Sequence, residues 1–239
     1  MIKFLESSVA YTYVIRHKVD IFLIMKNTFL ILRILYPVWM IIGMFALMYI
    51  PSVFVVSENP LATTENIKNN ELLFRVGILA SIITQLLYIV IPILLYKVFK
   101  QTDATQAMLM LAFSLVAAPI ALFGSIYDLQ MLSTLDQPEI GMSHFNFKRY
   151  TLTVATIFWG LWLFPLGKLA IKSKYFPILI GYCLYAGGVG YLLSAAVKIV
   201  FPNYEMVFNI SEILTIGEVI FILWFVIKGP KVLNETTES

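Results

Sequence analysis

Charge is what this sequence has least of. Only 13% of its residues are Asp, Glu, Lys or Arg, where soluble domains keep roughly 25%. That is too little to cover a water-facing surface. The net charge is a modest +3, and nucleic acid is not among the expected partners. Cysteine is nearly absent. Cys183 stands alone inside an apolar run, which excludes an intramolecular disulfide and leaves it the role of a packing residue. Histidine is almost as rare: His17 and His144 are the only two, and no HExxH or CxxC accompanies them. A zinc centre needs three or four converging ligands, so no metal site is expected. The N-terminal region lacks the short apolar core of a cleavable signal, because Glu6, Arg16, Lys18, Asp20 and Lys26 interrupt it.

What is present is apolar residue in long blocks. The composition is 60% hydrophobic, with a mean hydropathy of +0.86. Six blocks approach the ~20 residues that a helix needs to cross ~30 Å of hydrocarbon. They run over about 34–56, 76–99, 104–132, 150–171, 177–201 and 211–228. The third is long enough to tilt. Pro92, Pro119 and Pro165 inside the blocks do not exclude helices, since neighbouring helices satisfy the released carbonyls. The expected fold is therefore all-α: a polytopic membrane protein built as a bundle of six transmembrane helices, with the lipid bilayer as its first partner.

Basic residues set the expected direction of threading. One side of a six-span arrangement holds 12 of the 17 Lys and Arg residues. It comprises the N-terminus, the connections after spans two and four, and the C-terminus. Short cytoplasmic loops are enriched in Lys and Arg, so the expectation is a multi-pass protein of the cell membrane with both termini cytoplasmic. The segments 57–74, 133–149 and 202–210 then face outward, as loops. Residues 1–27 read as an N-terminal cytoplasmic extension, 28–230 as the transmembrane domain and 231–239 as a cytoplasmic tail. "MKNTFLILRILYPVW" from Met25 has the look of an ordinary membrane-protein start. The mixed polarity before it suggests a dispensable extension or a mis-assigned start.

Three stretches have a familiar pattern: "TTENIKNNELLFRVGILASII", "GLWLFPLGKLAIKSKYFPILIGYCLYAGGVGYLL" and "GEVIFILWFVIKG". Through them the sequence resembles the bacterial multi-pass membrane family known as domain of unknown function 4386, over roughly residues 28 to 230. The most specific parts are Leu73-Phe74-Arg75, Pro165-Leu166-Gly167, Ser173 with Pro177, the run Gly187 to Tyr191, and Gly217-Glu218 with Leu223-Trp224. The first 27 residues do not match. The resemblance implies an integral membrane protein and supplies no activity, because the family is uncharacterised.

Catalytic patterns are thin. Ser125 and Asp128 in "FGSIYD" have no base in reach except His144 in a loop. An intramembrane aspartyl pair would need a Gly-x-Gly-Asp half, but Gly188-Val189-Gly190 is followed by Tyr191. "GGVG" is no nucleotide loop, since no strand precedes it, and no cofactor is expected. Gly181, Gly188 and Ala195, seven residues apart, and Gly190 with Ser194, four apart, read as close helix packing.

The charged set in the spans is sharper. Arg75 opens span two, Asp128 lies a turn inside span three, Lys198 ends span five, and Glu212 and Glu218 lie in span six, all in the outer half. Intramembrane charges cost from ~2.5 kcal/mol at the centre and usually face the bundle interior. Arg75 and Lys198 can snorkel, Glu71 can pair with Arg75, and Glu212 suits a helix N-terminus. Glu218 is too deep and too short to escape, so it must be protonated, paired or hydrated. The five residues form a candidate ligand-binding set, with Arg75, Lys198 or water expected opposite Glu218. The functional expectation is a protein that binds or transports a small molecule or lipid through an outward-facing polar cleft with Glu218 at its floor. Two alternatives stand beside it: a structural or accessory subunit with Glu218 as a buried staple, and an intramembrane enzyme pairing Asp128 with Glu218. The oligomeric state is left open.

Overall fold

The computed structural model describes residues 2–201 and 203–231, with side chains from Leu23 onward and at Arg16 and Val19. The expected tail beyond Lys231 lies outside the described residues. The elements in chain order are α1 (Ile2–Met44), a π-helical turn (Phe45–Tyr49), α2 (Ile50–Phe54), α3 (Pro60–Asn69), α4 (Glu71–Phe99), α5 (Ala104–Ser133), α6 (Pro138–Leu161), α7 (Leu163–Ser173), α8 (Ile178–Val200) and α9 (Glu205–Ile227). No strand occurs among the described residues. Six helical lines are long and apolar enough to cross a membrane: Leu23–Phe54, α4, α5, the α6–α7 line, α8 and α9. The chain is an all-α, multi-pass membrane protein. Exposed Ile34, Leu72, Leu179 and Ile213 are the kind of surface that only lipid covers at no cost.

Local chemistry explains where the elements depart from expectation. The polar segment after the first span is not simply loop but holds α3. Asn59 caps it by accepting from the Ala62 N–H at 3.0 Å, and Pro60 takes the first turn, where its missing N–H costs nothing. The expected loop 133–149 is likewise mostly helix, because α6 starts at Pro138. The fourth span is two helices meeting at Trp162. In the first span Pro51 has no N–H to donate. Just before it the Ile50 N–H reaches back five residues to the Phe45 carbonyl, which makes the π turn.

Small residues seat α8 between the α6–α7 line and α9. A Cβ on Gly160 would stand 2.9 Å from the Gly188 carbonyl oxygen, and one on Gly167 would stand 2.9 Å from that of Gly181. These pairs press α8 onto the α6–α7 line, as the seven-residue spacing suggested. Gly187 and Gly190 lie instead against α9, the neighbour that α8 packs most extensively. At the end of the bundle away from α3, Arg33 donates to the Val226 carbonyl through Nη2 at 2.7 Å and Nε at 3.1 Å. It thereby satisfies orphan carbonyls at the negative end of α9 and ties the first span to the last.

Candidate functional site

Two acids are buried in the bundle, and each has its own seam. Asp128 on α5 is 3% exposed and Lys148 on α6 is 6% exposed. The Lys148 Nζ donates to Asp128 Oδ2 at 2.7 Å. Gly124, one turn before Asp128, makes room for the lysine stem, whose Cγ would lie 3.3 Å from a Cβ there. The neighbouring Ser125 turns to α4 instead, where its Oγ bonds Ser81 Oγ at 3.3 Å.

Glu218 is seated differently. Gly217 brings the α9 backbone against the Cys183 carbonyl of α8, an approach any side chain would block. Gly187 supplies the matching recess, since a Cβ on it would stand 3.2 Å from the Glu218 nitrogen. The next side chain, Glu218, is therefore delivered into the bundle, 7% exposed. Tyr191, one turn on from Gly187, donates its hydroxyl to Glu218 Oε2 at 2.7 Å. Because α9 begins at Glu205 rather than near Ser211, Glu218 lies about 20 Å from one end of its helix and about 14 Å from the other at ~1.5 Å per residue. Along its helix Glu218 therefore stands just past the middle, farther from the first turn than the block 211–228 implied.

Two phenols near that carboxylate have no hydrogen-bond partner. The phenols of Tyr36 on α1, Tyr88 on α4 and Tyr191 on α8 are all within electrostatic range of Glu218. Tyr191 alone of the three is hydrogen-bonded. The hydroxyls of Tyr36 and Tyr88, Gln85 Oε1, and the indole N–H groups of Trp39 and Trp162 are buried with no hydrogen-bond partner. The rings form one chain: Tyr36 to Trp39 at 6.4 Å, Trp39 stacked on Tyr88 at 6.0 Å, and Tyr88 edge-on to Trp162 at 5.6 Å. Native interiors leave few such groups unmet. Four of the five sit on that one ring chain and Gln85 precedes Tyr88 by three residues on α4, so the core beside α9 carries a polar-edged aromatic cluster.

The expected charged set does not converge on Glu218. Arg75 bonds Glu71 at the surface, with Nη2 to Oε1 at 2.6 Å. Lys198 sits 5.0 Å over the Phe208 ring. Glu212 accepts from Ser194 Oγ at 3.0 Å, and Asp128 belongs to Lys148. Among the described residues, no Lys, Arg or His comes within ion-pair distance of Glu218, so a tyrosine stands where Arg75 or Lys198 was expected. The cause is geometric: both cations sit at the α3 end, and Glu218 is deeper than its sequence block implied. Sequence reasoning missed Lys148, Tyr191 and the aromatic cluster. The available signals were Gln85 inside an apolar run and aromatic residues away from the interfaces, where Tyr and Trp usually gather. No group of three or more His, Cys, Asp or Glu able to hold a metal occurs among the described residues.

Two clefts open at the α3 end. One, of about 860 Å³, is lined by Asn146, Arg149, Thr153, Thr156, Lys198 and Glu205. The other, of about 590 Å³, lies between the end of the first span and Asn146 and Arg149. Below the first, the seam between α8 and α9 stays polar through Ser194 and Glu212 to Tyr191 and Glu218. At the opposite end, Asp103 caps α5 and accepts from Lys172 at 2.9 Å. These bonds, the lysine first and then the Gln106 N–H, hold its carboxyl below the ordinary value.

The family model described as domain of unknown function (DUF4386) matches residues 33–229. An uncharacterised protein of Archaeoglobus fulgidus is 31% identical over 167 residues, covering 69% of this chain and 88% of its own length. No solved structure matches the chain. With a match over most of its length, the chain belongs to the DUF4386 family.

Proposed function

We propose that this member of the DUF4386 family binds a small molecule or lipid within the bilayer, as a receptor or a transporter, with Glu218 and the aromatic cluster beside it as its site. The 860 Å³ cleft is the entrance, and the polar seam of α8 and α9 leads from it to Glu218. The distribution of Lys and Arg supports an entrance on the outer face of the cell membrane, with both termini in the cytoplasm. The observation that carries the reading is a mid-bundle carboxylate facing three phenols of which one reaches it. Intramembrane acids are costly and mark ligand or ion pathways by default. Melting curves of purified protein against a library of lipids and small molecules test it. Compounds that raise the melting temperature of the wild type and not of Glu218→Gln are expected. A library without a single Glu218-dependent hit contradicts the reading.

A second reading has its own observation. The Tyr191–Glu218 bond joins the most extensively packed helix pair, as a staple in an accessory subunit would. Glu218→Gln would then lose stability with no ligand effect. The enzyme reading is the weakest, because Asp128 is held by Lys148 and Glu218 by Tyr191 on separate seams. An acid–base pair must share one water's reach.

A further inference from the structure

We infer that the 860 Å³ cleft at the α3 end holds one anionic glycerophospholipid, with its phosphodiester between Arg149 and Lys198 and an acyl chain along the wall below them. The lipid occupies the mouth of the cleft, so its binding is independent of Glu218.

Three features point to this occupant. The first is charge. Arg149 comes from α6, Lys198 from the last turn of α8 and Glu205 from the first turn of α9, and all three line the cleft. Among the described residues none of the three makes an ion pair. Lys198 rests its ammonium over the Phe208 ring, although Glu205 stands three residues before Phe208 and so on the same face of α9. Two cations and one acid leave a single positive charge, which one phosphodiester balances. The arginine fork of N–H groups matches phosphate oxygens in particular. Glu205 accepts and does not donate, which suits the hydroxyls of a neutral polyol head. The second feature is depth. Thr156 also lines the cleft. It lies seven residues beyond Arg149 on α6, hence about 10 Å nearer the middle of the bundle. The cleft thus runs from the helix ends towards the hydrocarbon. The third feature is the wall. Tyr150, Val154 and Ile199 line the cleft and are exposed, so in a membrane-spanning chain it opens to lipid. A soluble anion gains nothing from such a wall, whereas an acyl chain lies along it. Basic pockets between spans are where phospholipid headgroups settle.

The test uses the full-length protein purified in a nonionic detergent, with bound lipid counted by native mass spectrometry. Three probes are compared: dioleoylphosphatidylglycerol, dioleoylphosphatidylcholine and sn-glycerol 3-phosphate. One phosphatidylglycerol is expected to stay bound, with phosphatidylcholine about fivefold weaker or more and glycerol 3-phosphate not retained. Arg149→Gln and Lys198→Gln are each expected to weaken phosphatidylglycerol about tenfold, the scale of losing a hydrogen bond to a charged group. Neither residue is in an ion pair, so both variants are expected to elute as the wild type does in size-exclusion chromatography, and either alone decides if the other fails to fold. Lys68→Gln removes the same charge at the same end outside the cleft and is expected to leave binding unchanged. Glycerol 3-phosphate held as tightly as the lipid would make the ligand a soluble anion and overturn the inference. So would an equal loss in Lys68→Gln, which means diffuse attraction to a basic surface, or lipid binding that neither cleft variant changes. Lipid lost in Glu218→Gln and kept in Arg149→Gln belongs at Glu218: the proposed function is then supported and the cleft inference falls. Lipid that depends on Arg149 while no compound depends on Glu218 leaves the cleft standing and the Glu218 site refuted.

Discussion

Asp128 and Glu218 are both acids buried among apolar helices, and the bundle treats them in opposite ways. Asp128 meets a lysine from the adjoining helix at 2.7 Å, so its seam is electrically complete. Glu218 meets a tyrosine hydroxyl at the same distance, with no cation in ion-pair reach among the described residues and the unpartnered phenols of Tyr36 and Tyr88 nearby. A buried pair serves the fold, because removing one partner strands the other. An acid without a counter-ion is free to take another partner, which is why the proposed site is placed there. What each acid meets separates the two more clearly than depth or sequence context does.

The comparison can be broken first at the seat of Glu218. Gly217→Val puts a branched side chain where α9 touches the Cys183 carbonyl. Overpacking against backbone has no cheap relief, so a loss of about 3 kcal/mol or more is expected. The readout is a collapse of monodisperse protein in size-exclusion chromatography. A well-folded Gly217→Val protein would mean that α8 and α9 are not in backbone contact.

The next test is the complete seam. Lys148→Met leaves Asp128 buried without its partner, at an expected cost of about 3–5 kcal/mol in denaturation. Adding Asp128→Leu should recover most of it, to within about 1 kcal/mol of the wild type, since two apolar residues replace two charges. A double variant no better than Lys148→Met alone would show that the pair does more than balance charge.

A smaller effect of opposite sign is expected at the incomplete site. Tyr36→Phe and Tyr88→Phe each delete a buried hydroxyl that has no partner. Leaving such a group unmet costs about 1–3 kcal/mol, so each empty variant should melt at or above the wild-type temperature. A clear drop in melting temperature would reveal a bond that the hydroxyl makes, and the contrast between the two acids would weaken.

The smallest effect belongs to the surface pair of Asp103 and Lys172, which calibrates the buried ones. The folded carboxyl is held below its ordinary value of 3.8. Its contribution is therefore present above that value and disappears as pH falls through the lower folded value. Lys172→Met should flatten the acid limb of stability below about pH 4 and leave neutral pH nearly unchanged, since exposed pairs contribute little. A loss at pH 7 as large as that of Lys148→Met would show that burial is not what separates the pairs.

The sequence carried most of the architecture and little of the site. Long apolar blocks reveal spans because no other structure satisfies the backbone in lipid. The spacing of Gly181 and Gly188 reveals close packing because only small residues allow it. Lys148 was read as loop because a Lys-Arg pair beside a polar stretch normally marks an interface. Its burial depends on α6 folding back along α5 to meet Asp128, twenty residues away. Glu218 was legible as an anomaly, yet its neighbours were not. Tyr36, Gln85 and Tyr88 come from helices remote in sequence, and nothing in their local context says that they face one point. The early start of α9 had the same consequence for depth: residues 205–210, interrupted by Glu205 and Asn209, look like loop until they are found helical.

The most direct measurement compares the two acids themselves. Asp128→Asn and Glu218→Gln are purified side by side in one detergent, and their melting temperatures are taken with and without the compounds that stabilise the wild type. Asp128→Asn is expected to lose several kcal/mol and, where it folds, to keep the response to those compounds. Glu218→Gln should stay within about 1 kcal/mol of the wild type, as its neutral amide still accepts from Tyr191, and lose that response. If Glu218→Gln destabilises the protein as much as Asp128→Asn does, Glu218 is a staple like its counterpart and the central claim is contradicted.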